Sequence, residues 1–194
     1  MLMEKTYISA QELLTGSFEL AEQILRSGFR PDYIVGVWRG GAPIGIAVQE
    51  ALEFCGAPSD HIAIRTSSYH GIGQQDAVVR VHGLHYLIEN VNADDSLLIL
   101  DDVFDSGRSI DAIIREMKTL SRLNMPRDLR VGTVYYKPTK NMTDRVPDYY
   151  LHETDKWLVF PHELDGLNEA EVRANKNLPE GLIELRREFL DAKG

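Results

Sequence analysis

Between Asp32 and Tyr136 the chain alternates short, continuous apolar runs with longer stretches whose apolar residues recur at helical spacing. A continuous run bounded by turn residues suits a strand covered on both faces, and recurrence every three or four positions suits a helix with one buried side. Asp32–Trp38, His61–Thr66, Ser96–Leu100 and Leu129–Tyr136 are the strand candidates, with Ser96–Leu100 the strongest. Pro43–Cys55 reads as a helix. So does Ser109–Leu123, which sets Ile110, Ile113, Ile114, Met117 and Leu120 along one side. An earlier helix opens at a capping box formed by Ser9 and Glu12 and runs to the glycine stop at Gly28. Leu13, Leu14, Leu20, Ile24 and Leu25 mark its stripe, which residues 15–17 interrupt.

Strands alternating with helices predict an α/β fold, a mainly parallel twisted sheet with helices on both faces. Functional residues then belong at the carboxyl ends of the strands. Residues 67–83 show only weak periodicity, and the pattern changes after Lys137. Tyr149–His152 and Trp157–Phe160 are short strand candidates among turn residues, and Glu169–Lys193 is charged and partly helical. The expected organisation is one domain over residues 1–194, with a core at about 5–137, a small hood or flap at 138–165 and a charged tail at 166–194. No internal repeat or low-complexity tract interrupts it.

Composition narrows the function classes. At 194 residues with 43% hydrophobic and 26% charged residues, an ordinary globular protein is expected. No apolar run approaches the roughly 20 residues of a membrane span, and the first residues lack a signal peptide's basic start and apolar stretch. One cysteine, Cys55, permits no internal disulfide, so a cytoplasmic setting is expected. A net charge of −9 argues against nucleic acid as partner. It leaves open a phosphorylated substrate held by backbone N–H groups, local cations and Mg²⁺.

The segment from Leu97 to Ser109 places three carboxylates and a small-residue loop between a buried strand and a helix. Ser106, Gly107, Arg108 and Ser109 can offer backbone N–H groups and hydroxyls to a phosphate at the helix N-terminus, where free amides and the helix dipole favour an anion. Asp101 and Asp102 can accept hydrogen bonds from adjacent hydroxyls or hold hydrated Mg²⁺. A phosphate beside a diol describes a phosphorylated ribose. Taken alone, the acidic pair also fits an ordinary turn capped by Ser106 or Ser109; the whole order of residues favours the anion site.

These thirteen residues resemble the signature of type I phosphoribosyltransferases, whose ribosyl donor is 5-phosphoribosyl 1-pyrophosphate. Phe104 is larger than usual at its apolar position, and Ser106 stands where threonine is frequent. Further segments over Tyr33–Glu163 are similar to the 6-oxopurine branch of that family, which acts on hypoxanthine, guanine and xanthine. The resemblance implies that Arg39, Gly40 and Gly41 form the pyrophosphate loop, preceded by a Trp38–Arg39 bond that is cis in some relatives. It implies that Ser68 and Tyr69 belong to a mobile loop closing over the site, and that residues 70–83 depart from the family pattern. It makes Asp105 the general base at purine N7, Lys137 the donor to purine O6, Trp157 the stacking aromatic and Val159 the carbonyl at the purine 2-edge. Glu163 stands where relatives carry an acid near a second Mg²⁺, and its extra methylene weakens that assignment. Relatives are commonly dimers or tetramers, so a homo-oligomer is implied. Two rival readings share the fold: a non-catalytic regulator that senses the donor, and an enzyme for adenine, orotate or uracil. Lys137 and Trp157 favour the oxopurines.

Overall fold

The computed structural model describes residues 5–69 and 78–192. In chain order the strands are β1 (Lys5–Tyr7), β2 (Tyr33–Trp38), β3 (Asp60–Tyr69), β4 (Val78–His82), β5 (Ser96–Phe104), β6 (Asp128–Tyr136), β7 (Tyr149–Glu153) and β8 (Trp157–Val159). The helices are α1 (Ala10–Arg26), α2 (Gly41–Phe54), α3 (His85–Asn90), α4 (Arg108–Ser121), α5 (Glu169–Asn175) and α6 (Glu180–Asp191). They divide into two compact units, Gln11–Asp155 and a second made of Met1–Ala10 with Lys156–Gly194. No helix among the described residues is long and apolar enough to cross a membrane.

The larger unit is built on a six-stranded sheet in the order β4-β3-β2-β5-β6-β7. Every neighbouring pair is parallel except β3 with β4. Alternation along the strands sends Val35, Val37, Leu97, Ile99 and Val131 to one face, where they pack with Leu87 of α3 and Ile110, Ile113 and Met117 of α4. Burying each of those α4 side chains stabilises the fold by about 1.5–3 kcal/mol. Ile114 packs at the edge of this cluster, while Leu120, expected on the same stripe, is exposed. On the opposite face glycines let the other helices approach closely: Gly16 of α1 lies against Val134, and Gly36 of β2 against the start of α2. Helices therefore cover both faces, as the alternation predicts.

The differences from expectation are local. Helix α1 runs unbroken through residues 15–17, because Gly16 and Ser17 are buried on its packed side and the Ser17 hydroxyl donates to the Leu13 carbonyl. It ends before Gly28, which takes the left-handed φ of 85° expected of its stop. The weakly periodic stretch after Thr66 holds the end of β3 and the antiparallel strand β4, whose pairing depends on a cross-strand partner rather than on local pattern. Strand β5 runs past Leu100 through the acidic pair, because Asp101, Val103 and Phe104 have partners in Thr133, Tyr135 and Tyr136. Tertiary pairing here overrides the low strand propensity of aspartate. Helix α3 is too short to show a period.

In the smaller unit β1 and β8 form a parallel pair, Lys5 with Trp157 and Tyr7 with Val159. Val159, Leu167, Val172 and Ile183 form its core, with Tyr7 and Leu178 packed against them. Helix α5 begins with a capping box between Asn168 and Glu171. Glu171 also receives the Lys5 ammonium at 2.7 Å and the Tyr7 hydroxyl at 3.2 Å. Glu169 takes Arg173 of its own helix and Arg187 of α6, each at 2.9 Å from the guanidinium Nε. The charged tail is thus tied to the first strand and to itself.

Candidate functional site

The carboxyl ends of β2, β5 and β6 meet at one edge of the large sheet because the three strands are parallel neighbours. Strand β5 delivers Asp101 and Asp102 there, followed by Asp105, Ser106 and Gly107. Gly107 caps α4 with a left-handed φ of 73°. A concavity of about 80 Å³ lies among Asp101, Asp105, Ser106, Gly107 and Ser109. The first amides of α4 have no partners within the helix, so this concavity suits an anion. Arg108, next in the chain, is half-buried.

Gly107 is held between two walls. A methyl group placed on it would lie 2.7 Å from the Phe104 ring and 2.7 Å from the Thr143 hydroxyl. The large Phe104 side chain is fully buried and forms the floor of the loop. Thr143 was not legible as a site residue, although Asn141, two positions earlier, is a common turn signal. Thr66 of β3 also reaches the loop, its hydroxyl 3.3 Å from that of Ser109.

The Trp38–Arg39 bond is cis, and the chain turns there into α2. A methyl on Gly40 would lie 2.0 Å from Asp102 Oδ2, and one on Gly41 2.2 Å from the Leu100 carbonyl oxygen. The turn therefore rests directly on the acidic pair, an approach only glycine permits. Trp38 and Arg39 are exposed beside it. Asp102 is buried and accepts the Val103 N–H at 2.8 Å, and Asp101 accepts the Asp102 N–H at 3.0 Å. Burial, and then the neighbouring Asp102 charge, push the Asp101 carboxyl well above the usual carboxylate range, against the pull of N–H groups from Asp102 and Gly41. A cation placed beside the pair would offset that cost.

Lys137 follows the last residue of β6, and its N–H donates to the Phe104 carbonyl at 2.9 Å. That bond brings its ammonium to Asp105, Nζ to Oδ2 at 2.7 Å. The lysine side chain is 12% exposed and the aspartate 48%. The two residues assigned to O6 and N7, on one edge of a purine, are thus neighbours in the fold.

The remaining assigned residues belong to the smaller unit or to the end of β3. Trp157 is half exposed, with the Lys5 ammonium 5.9 Å from its ring centre. Val159 is buried, and its carbonyl accepts the Ile8 N–H at 3.0 Å, which occupies one of its two acceptor positions. Glu163 accepts the Phe160 N–H at 2.9 Å and closes a turn. Ser68 and Tyr69 pair through their backbone with Val79 and Val78 of β4. Their side chains and residues 70–77, on which the closing loop was expected, lie outside the described residues. No group of three His, Cys, Asp or Glu side chains suited to a metal gathers among the described residues.

The model of the phosphoribosyl transferase domain matches residues 5–165. No curated protein matches the chain. Among solved structures, a purine phosphoribosyltransferase from Pyrococcus horikoshii Ot3 is 30% identical, with a TM-score of 0.67 over 86% of this chain and 99% of its own. A xanthine-guanine-hypoxanthine phosphoribosyltransferase from Helicobacter pylori shares the fold at 19% identity and a TM-score of 0.65, over 84% of this chain and 96% of its own. A hypothetical protein from Neisseria gonorrhoeae with bound ppGpp does so at 18% identity and a TM-score of 0.69, over 90% of this chain and 97% of its own. With four-fifths of its length matched and the signature loop seated between β5 and α4, the chain belongs to the phosphoribosyl transferase domain family.

Proposed function

We propose that the protein transfers ribose-5-phosphate from 5-phosphoribosyl 1-pyrophosphate to N9 of a 6-oxopurine, hypoxanthine, guanine or xanthine, and releases pyrophosphate. The observation that carries this reading is the Lys137–Asp105 pair at 2.7 Å. A 6-oxopurine presents O6, an acceptor, beside N7, which carries a proton in one tautomer. An ammonium donor next to a carboxylate acceptor complements that edge. Adenine puts an amino donor where O6 would be, facing an ammonium with no acceptor to offer it. The 30% identical purine phosphoribosyltransferase supports a purine as acceptor.

In this reading the 5-phosphate occupies the Ser106–Ser109 loop, and Arg39, Gly40 and Gly41 receive the pyrophosphate. Asp101 and Asp102 would face the ribose hydroxyls and would hold Mg²⁺. Among the described residues no third His, Cys, Asp or Glu gathers beside this pair, which would suit an ion that keeps several of its own waters. When bound, it neutralises charge on the departing pyrophosphate. The N9–C1′ bond forms as the C1′–oxygen bond to pyrophosphate breaks, and the N7 proton passes to Asp105. Lys137 hydrogen-bonds O6 and offsets the negative charge that grows there. Trp157 stacks on the base and Val159 meets its 2-edge, roles that rest on the family resemblance.

The test is pyrophosphate release with donor and Mg²⁺, given hypoxanthine, guanine, xanthine or adenine separately. Turnover with at least one oxopurine and none with adenine is expected. Adenine turnover equal to that of the oxopurines would sink the Lys137 argument, and donor binding without turnover on any base would favour the regulator.

A further inference from the structure

The phosphate loop has a brace behind it that the family signature does not include. After β6 the chain turns back, and the Met142 N–H donates to the Ser106 carbonyl at 3.0 Å. The Ser106–Gly107 peptide is trans, so its carbonyl and its N–H point in opposite directions. Tying the Ser106 carbonyl to Met142 therefore turns the Gly107 N–H the other way. Were that peptide flipped, a carbonyl oxygen would face the anion in place of a donor.

One side chain holds the brace in shape. Asn141 Oδ1 accepts both the N–H and the hydroxyl of Thr143, each at 2.9 Å. Its Nδ2 donates to the Arg145 carbonyl at 2.8 Å and lies 3.4 Å from the Tyr136 hydroxyl. Thr143, fixed in this way, forms one wall against Gly107, and Phe104 forms the other. The Phe104 ring is in turn set edge-on by Tyr136, at 5.7 Å and 80°. Asn141 thus ties residues 141–145 into a single turn whose amide and hydroxyl both bear on the loop.

We propose that Asn141 is a positioning residue: through Thr143 and the Met142 amide it aims the Gly107 N–H into the phosphate cradle and so sets affinity for the 5-phosphate of the donor. It touches no substrate. The inference rests on the function proposed above and adds a determinant of donor affinity outside the signature loop.

The test measures ribose 5-phosphate and inorganic pyrophosphate binding calorimetrically on the full chain with Mg²⁺, for wild type and Asn141→Ala. Losing one aimed charge-assisted donor should weaken ribose 5-phosphate about tenfold and leave pyrophosphate within about twofold. The KM for the donor should rise by about the same factor while kcat holds, the mark of lost uniform binding. Thr143→Ser keeps the hydroxyl and should bind as wild type does. Unchanged ribose 5-phosphate affinity in Asn141→Ala, or equal losses for both ligands, overturns the proposal. Absence of ribose 5-phosphate binding by wild type would instead overturn the function reading beneath it. Should Asn141→Ala fail to fold, the Gly107 amide resonance of ¹⁵N-labelled wild type decides: a marked shift on adding ribose 5-phosphate supports the aimed N–H, and no shift overturns it.

Discussion

Removing either partner of the Lys137–Asp105 pair should have unequal consequences, because the two side chains are unequally buried. Lys137 is 12% exposed and Asp105 48%. Lys137→Met keeps most of the apolar stem and leaves Asp105 to water, so its cost should be that of an exposed pair, about 0–1 kcal/mol. Asp105→Ala strands an ammonium that is largely out of solvent, and the loss should be about 2–3 kcal/mol. The double variant has no charge left to strand and should cost little more than Lys137→Met. The cycle then gives a coupling of about 2 kcal/mol. Urea unfolding of the four proteins, compared through midpoints at constant slope, measures it. Equal costs for the two single variants, or a double variant equal to their sum, would refute the claim that burial makes the lysine the dependent partner. The catalytic reading has its own arm in the same position. Asp105→Asn keeps an acceptor for Lys137 and removes the base, so kcat should fall far more than donor affinity; equal losses would count against the base role.

Gly40→Ala should selectively damage the Arg39–Gly41 turn proposed to receive pyrophosphate, since the added methyl would lie 2.0 Å from a carboxylate oxygen of buried Asp102. The expected result is a loss of about tenfold to a hundredfold in pyrophosphate affinity, with ribose 5-phosphate binding little changed; calorimetry on both ligands checks it. A pH dependence is expected in the smaller unit. Arg187, and then Arg173, hold the Glu169 carboxyl down to about 2, against an ordinary value of 4.5. A depressed folded value contributes stability above the unfolded value and loses it as pH falls toward the folded one. The melting-temperature difference between wild type and Glu169→Gln should therefore be full above about pH 4.5 and vanish near pH 2; a difference independent of pH over that range would contradict the pairing.

The alternation of apolar runs and helical stripes was enough to determine the α/β class and the parallel core strands, and with them the carboxyl edge on which a site is expected. These features are local: a strand or helix declares itself through the spacing of its own residues. The loop from Asp101 to Ser109 was legible for the same reason, since strand, acids, glycine and helix start are consecutive. Other features needed the chain to return on itself. Strand β4 exists through its pairing with β3, the extension of β5 through β6, and β1 through β8, a partner distant in the chain. Lys137 meets Asp105 across 32 residues, because β5 and β6 are parallel and in register at their ends. Gly40 is required by the closeness of Asp102, and Gly107 by the walls of Phe104 and Thr143. Asn141 looks like any turn residue in the sequence; in the fold its turn leans on the loop at Ser106 and Gly107. Sequence spacing records what each segment can form on its own; only tertiary packing decides which segments face each other, and thus which carboxylate meets which cation and which peptide is held in one orientation.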